Sequence, residues 1–128
     1  MIYVDTSVLL AQALAEDRVP NPAIWTEPLI SNRLLEYETW TRIHAAGLAR
    51  SHGDVVARLL EGINFQELDR DVLSRSLEPH PIRVRTLDAL HLATIEFLRV
   101  RGLRLELATF DPRMLEAAEA LGIALAEV

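Results

Sequence analysis

Four carboxylates in this chain stand where an apolar run stops or a helix begins: Asp5, Glu38, Asp88 and Asp111. Asp5 follows Ile2-Tyr3-Val4 and precedes the hydroxyls of Thr6 and Ser7; Asp111 follows Leu107-Ala108-Thr109-Phe110 and precedes Pro112. Two parallel strands that end side by side would bring these acids to the carboxyl edge of a sheet, where open α/β folds hold their ligands. Gathered carboxylates repel, which raises at least one pKa, and a cation relieves them. Oxygen ligands of this kind suit Mg²⁺, and such an ion with open positions supplies the chemistry of phosphodiester cleavage.

Each acid also has a structural explanation. Asp5 is a good helix N-cap, although Thr6 and Ser7 are expected to be able to cap the same helix. Asp111 before Pro112 is a favourable helix start in its own right. Asp88 falls in the first turn of a helix capped by Thr86, where the helix dipole favours negative charge, and it shares a stripe with Leu92 and Ile95. Glu38 is placed at the edge of an apolar arc of Leu34, Tyr37, Ala45 and Leu48, with Arg42 available for an i,i+4 pair; Glu36 points away into solvent. His91 reads as a hydrogen-bonding histidine at the core edge rather than a metal ligand. Three helix starts and one stripe-edge Glu converging on one sheet edge is a sharper demand than any of them alone.

The elements that must position these residues alternate. Strands are expected over residues 2–5, 29–30, 63–68, 104–109 and 123–126. Helices are expected over 7–15, 52–61, 70–77 and 112–121, from Ser31 or Asn32 to about 48, and from Thr86 to about 101. Gly47, Gly62 and Gly102 are the stops, and Pro20, Pro22 and Pro28 mark a loop or broken helix. Strands alternating with helices predict an α/β fold, with a mostly parallel central sheet of about four or five strands flanked by helices.

The length of 128 residues predicts a single domain, residues 1–128, and half of the residues are apolar, enough for a real core. There is no cysteine, which excludes disulfides and thiolate metal sites. No run has the apolar length of a membrane span, and the N-terminal stretch lacks the pattern of a signal peptide, so no membrane association and a cytoplasmic location are expected. The net charge is −6, the wrong sign for binding nucleic acid by bulk electrostatics. All 13 basic residues are Arg, which excludes a P-loop, a Schiff-base enzyme and a phosphoacceptor domain with Asp5 as nucleophile, since each needs a lysine. A polyanionic substrate would need metal ions and local Arg residues; Arg85 and Arg113 flank the acids, whereas Arg83 reads as ordinary surface charge.

Four segments stand out together: Tyr3-Val4-Asp5-Thr6-Ser7, Ser31-Asn32-Arg33-Leu34-Leu35-Glu36-Tyr37-Glu38 with Arg42, Arg85-Thr86-Leu87-Asp88-Ala89-Leu90-His91-Leu92-Ala93, and Thr109-Phe110-Asp111-Pro112-Arg113-Met114. With them the chain resembles the PIN-domain ribonucleases, in particular the small VapC-like toxins of toxin–antitoxin pairs. The third is the most specific, the Asp-Thr-Ser alone is weak, and the proline-rich stretch after the first helix departs from the pattern. The resemblance implies a PIN-like nuclease domain and an endoribonuclease using Mg²⁺ or Mn²⁺. Its acidic quartet falls on Asp5, Glu38, Asp88 and Asp111. Asp5 and Asp88 would be direct ligands, Asp111 a ligand directly or through water, and Glu38 would bind a second ion or orient the attacking water. Thr6, Ser7 or Thr109 would supply the hydroxyl near the site. An RNA substrate, a cognate VapB-like antitoxin and a homodimer are the implied partners. A catalytically inactive interaction module and a DNA-directed nuclease of the same architecture are the alternatives.

Overall fold

The computed structural model describes residues 1–128. Five strands, β1 (Ile2–Val4), β2 (Leu29–Asn32), β3 (Ile63–Gln66), β4 (Glu106–Ala108) and β5 (Ala124–Leu125), form one sheet in the order β3-β2-β1-β4-β5. Every pairing is parallel, with Tyr3 opposite Ile30 on one side and Leu107 on the other. The helices are α1 (Thr6–Leu14), α2 (Arg33–Ala45), α3 (Ala49–Glu61), α4 (Arg70–Ser76), α5 (Thr86–Val100) and α6 (Pro112–Ala120), with a short 3-10 helix over Pro22–Thr26 in the proline-rich stretch.

The central strands are short apolar runs because both of their faces are covered. Alternation along each strand divides the core in two. Ile2, Val4, Leu29 and Ala108 join Val8, Leu9, Leu35, Ile43 and Val56 on one face of the sheet. Tyr3, Ile30 and Leu107 join Leu92, Ile95, Met114 and Ala117 on the other. The chain runs outward from β1 to β2 and β3, then returns to β4 on the opposite side of β1. The gap beyond the carboxyl ends of β1 and β4 is therefore the switch point of the sheet, and Asp5 and Thr109 are the residues that follow those two strands.

Three local expectations are corrected. The buried face of α2 is Leu35, Thr39 and Ile43, not Leu34, Tyr37, Ala45 and Leu48; Tyr37 is 69% exposed. Apolar residues lie all round this helix, so periodicity does not select a face and packing on α1 and α3 does. Helix α5 starts at Thr86 rather than being capped by it: Arg85 is the cap residue, extended at φ −78° and ψ 163°, and makes no side-chain cap bond. Helix α1 starts at Thr6, and Asp5 itself is its cap, in place of Thr6 or Ser7. Gly47 (φ +69°) and Gly102 (φ +91°) end α2 and α5 in the left-handed conformation that glycine adopts without strain.

Candidate active site

Asp5, Glu38, Asp88 and Asp111 all line one open cleft at the switch point, together with Thr6, Ser7, Arg18, Arg42 and Arg85. Helices α1, α5 and α6 begin at this edge, and Asp5 and Asp111 cap α1 and α6 by accepting from the backbone N–H of Ser7 and Arg113. The cap geometry thus aims two of the four acids at the same place. A second, larger cleft between α4 and α5 contains Asp71, Arg75, Glu96, Arg99 and Arg101; Arg75 is paired with Glu96 and Arg101 with Asp71, and Arg99 donates to the carbonyls of Leu121 and Gly122.

Asp5 is buried and pinned through one oxygen. Its Oδ2 accepts from Ser7 Oγ at 2.6 Å, Thr109 Oγ1 at 2.8 Å and Ser7 N at 3.4 Å. Oδ1 has no hydrogen bond within the protein. Thr109 in turn accepts from the N–H of Asp111 at 3.0 Å, so its hydroxyl ties the two strand-end acids together. Glu38 repeats the pattern. Its Oε1 accepts from Thr6 Oγ1 at 3.2 Å and lies 2.7 Å from His91 Nε2, which leaves Oε2 without a protein partner. The expected pair with Arg42 does not form; the buried His91 competes better than an exposed guanidinium for the same oxygen. Glu36 instead pairs with Arg33 on the surface, 2.8 Å away, so α2 presents Glu38 and not Glu36 to the cleft.

Asp88 is only 8% exposed. Burial raises its pKa above the usual carboxylate value; the Arg85 hydrogen bond opposes that, and the charges of Asp111 and Asp5 add to it. Desolvation rather than crowding of acids is thus the larger effect. Arg85 bonds Asp88 through Nε at 3.3 Å and Asp111 through Nη2 at 3.2 Å, and these two carboxylates raise its own pKa.

The donor set fits a hard divalent cation: carboxylate oxygens, three of them (Asp5 Oδ1, Glu38 Oε2 and Asp88 Oδ1) free of protein partners, and one buried acid that ionises reluctantly. No three of the acids and histidines stand close enough together to form a ready-made cage. Arg85 bonds two of the four acids, Asp88 and Asp111.

Thr6, Ser7 and Thr109 each hold one of the acids, and Arg85 lines the cleft. Arg113 is exposed on α6 and is not among the lining residues; Arg18 and Arg42 are. Arg18 carried no sequence signal, because it follows α1 in an irregular stretch and reaches the cleft only when that stretch folds back, with its guanidinium 5.9 Å from the centre of the Phe110 ring. His91 was visible in the sequence but its partners were not.

The PIN domain family model matches residues 2–120. Ribonuclease VapC46 of Mycobacterium tuberculosis is 34% identical over 128 aligned positions, covering 97% of this chain and 95% of the relative. Ribonuclease VapC35 of the same species is 31% identical, covering 98% and 95%. With its parallel five-stranded sheet, its helices on both faces and its acids at the β1/β4 switch, the chain belongs to the PIN domain family.

Proposed function

We propose that residues 1–128 act as one Mg²⁺-dependent endoribonuclease domain, the toxin of a type II toxin–antitoxin pair. The observation that carries this reading is the convergence of Asp5, Glu38, Asp88 and Asp111 on one cleft, and the similarity to ribonucleases of the VapC type supports it.

Asp5, Asp88 and Asp111 would hold the ion, Mg²⁺ or Mn²⁺, and Glu38 would hold a second ion or orient the attacking water. Bound there, the ion supplies Lewis acidity towards a phosphate oxygen and acidifies water. The protein's own contribution is arrangement. Ser7 and Thr109 occupy one oxygen of Asp5 and leave the other for the cleft. Thr6 does the same for Glu38. Arg18, Arg42 and Arg85 put positive charge beside the acids, where a phosphodiester would lie, and offset the net charge of −6 locally. Arg113 is kept as a peripheral phosphate contact beside the α6 start.

A VapB-like antitoxin is a proposed partner on the strength of the relatives' names, and a second copy of the chain is proposed from the family resemblance alone. No helix is long and apolar enough to cross a membrane, and a cytoplasmic location is proposed to match an RNA substrate.

Total cellular RNA incubated with the protein, with Mg²⁺ and with chelator, tests the activity. Discrete new ends only with Mg²⁺, lost in Asp5→Asn and Asp88→Asn, are the expected result. Equal cleavage of single-stranded DNA would redirect the reading to a general nuclease, and intact RNA under all conditions would leave an interaction module.

A further inference from the structure

Tyr3, His91 and Glu38 form a hydrogen-bonded chain that runs from the middle of β1, through α5, to the cleft wall on α2. The Tyr3 hydroxyl lies 2.8 Å from His91 Nδ1, and His91 Nε2 lies 2.7 Å from Glu38 Oε1. Tyr3 is 0% exposed and His91 1%, and their rings meet edge to face at 5.8 Å between centres and 82° between planes. The imidazole can therefore neither turn nor reach water. The hydroxyl hydrogens of Ser31 and Thr94, the polar neighbours of the Tyr3 hydroxyl, already go to the carbonyls of Val4 and Leu90.

We infer that His91, pinned by Tyr3, is a positioning residue that fixes Glu38 with Oε1 bound and Oε2 left to the cleft. This rests on the nuclease reading for its consequence but not for its geometry. A carboxylate only accepts, so the ring hydrogen of a neutral His91 lies on Nε2 and points at Glu38. That leaves Nδ1 bare, and the Tyr3 hydroxyl donates to it. One oxygen of Glu38 is then committed to two donors, Nε2–H and the Thr6 hydroxyl, and the side chain loses the rotational freedom that an exposed Glu on a helix would keep. Groups that orient a site carboxylate in this way commonly change affinity or rate ten- to a hundredfold when removed.

The arrangement is more specific than a satisfied core histidine requires. A core histidine needs two partners of any kind. Here the outer partner is one of the four cleft acids, and the inner partner sits on the same strand that carries Asp5, two residues earlier. The ends of the chain thus tie two site acids to one rigid core element.

Two measurements on the whole protein decide it. In the metal-free protein, ring-nitrogen NMR of His91 is expected to show Nε2 protonated and Nδ1 bare. Tyr3→Phe should shift the Nδ1 resonance and Glu38→Gln the Nε2 resonance. A bare Nε2 would overturn the proposal. In the cleavage assay, His91→Leu is expected to lower kcat roughly tenfold or more with KM little changed, and Tyr3→Phe to lower it less. His91→Gln, whose amide nitrogen can still donate to Glu38, should recover most of the rate. If His91→Gln and His91→Leu lose rate equally while both remain folded by circular dichroism, the ring matters only for packing and the proposal fails. Should the wild type cleave no RNA, the nuclease reading fails instead, and the nitrogen spectra alone still decide whether His91 fixes Glu38.

Discussion

Arg85, the cap residue of α5, reaches Asp111 at the start of α6, with Nη2 3.2 Å from Oδ2. Because its Nε also bonds Asp88, one exposed guanidinium balances two of the four cleft acids. A cation binding to those acids has to compete with it. Arg85→Ala is therefore expected to tighten Mg²⁺ binding severalfold at neutral pH, read by titration calorimetry without RNA, while weakening RNA binding. An unchanged Mg²⁺ affinity would mean that the guanidinium stands clear of the ion's position.

Asp88 makes stability depend on pH in an identifiable direction. Its folded pKa lies above the unfolded value of 3.8, so between those two values the folded state binds the extra proton. Stability from this group is full below 3.8 and is lost as pH rises through the folded pKa. Asp88→Asn should remove that loss, so that in chelator its urea midpoint exceeds the wild type's at neutral pH and the two converge below the window. Arg85→Ala removes a bond that lowers the Asp88 pKa and should widen the window upward. A wild-type curve that rises through this range after subtraction of the Asp88→Asn curve would contradict the assignment.

Mg²⁺ should stabilise the folded protein by mass action, about 2.7 kcal/mol when its concentration is a hundred times the dissociation constant. Thermal unfolding with Mg²⁺ against chelator reads this directly. Asp5→Asn and Asp88→Asn should show little of the shift. A shift of equal size in both variants would put the ion elsewhere.

Thr109 is the link between strand-end acids. Thr109→Val keeps the shape but removes the donor to Asp5 Oδ2 and the acceptor for the Asp111 N–H, at 2.8 and 3.0 Å. A loss of about 1–3 kcal/mol is expected from urea unfolding. Cleavage should fall about tenfold or more, because Asp5 is then held by Ser7 alone. A variant as stable and active as wild type would mean that Ser7 alone suffices.

Arg42 and Arg18 line the cleft, and Arg113 stands outside it. Charge reversal at Arg42 or Arg18 should weaken RNA binding uniformly across sequences and reduce the salt slope by about one phosphate contact. Arg113→Glu should do less. The salt dependence of the binding constant separates the two sets.

The chain itself carried much of this. Short apolar runs such as Ile2-Tyr3-Val4 and Leu29-Ile30 are readable as buried parallel strands because both faces are covered and no polar alternation is needed. Asp5 and Asp111 are legible for a related reason: a strand that ends at an acid before a helix start is a local pattern, and local patterns survive in sequence. What only the tertiary structure decided was every relation across distance. Periodicity does not give the face of α2, because Leu34, Leu35, Tyr37, Trp40 and Ile43 surround the helix, and the neighbours α1 and α3 choose Leu35 and Ile43. Glu38 pairs with His91, 53 residues away, rather than with Arg42 one turn on, because a buried imidazole has few other partners and an exposed guanidinium has water. Spacing along a chain records the period of a helix or strand; which donor reaches which acid is set by the packing of elements that the spacing does not encode.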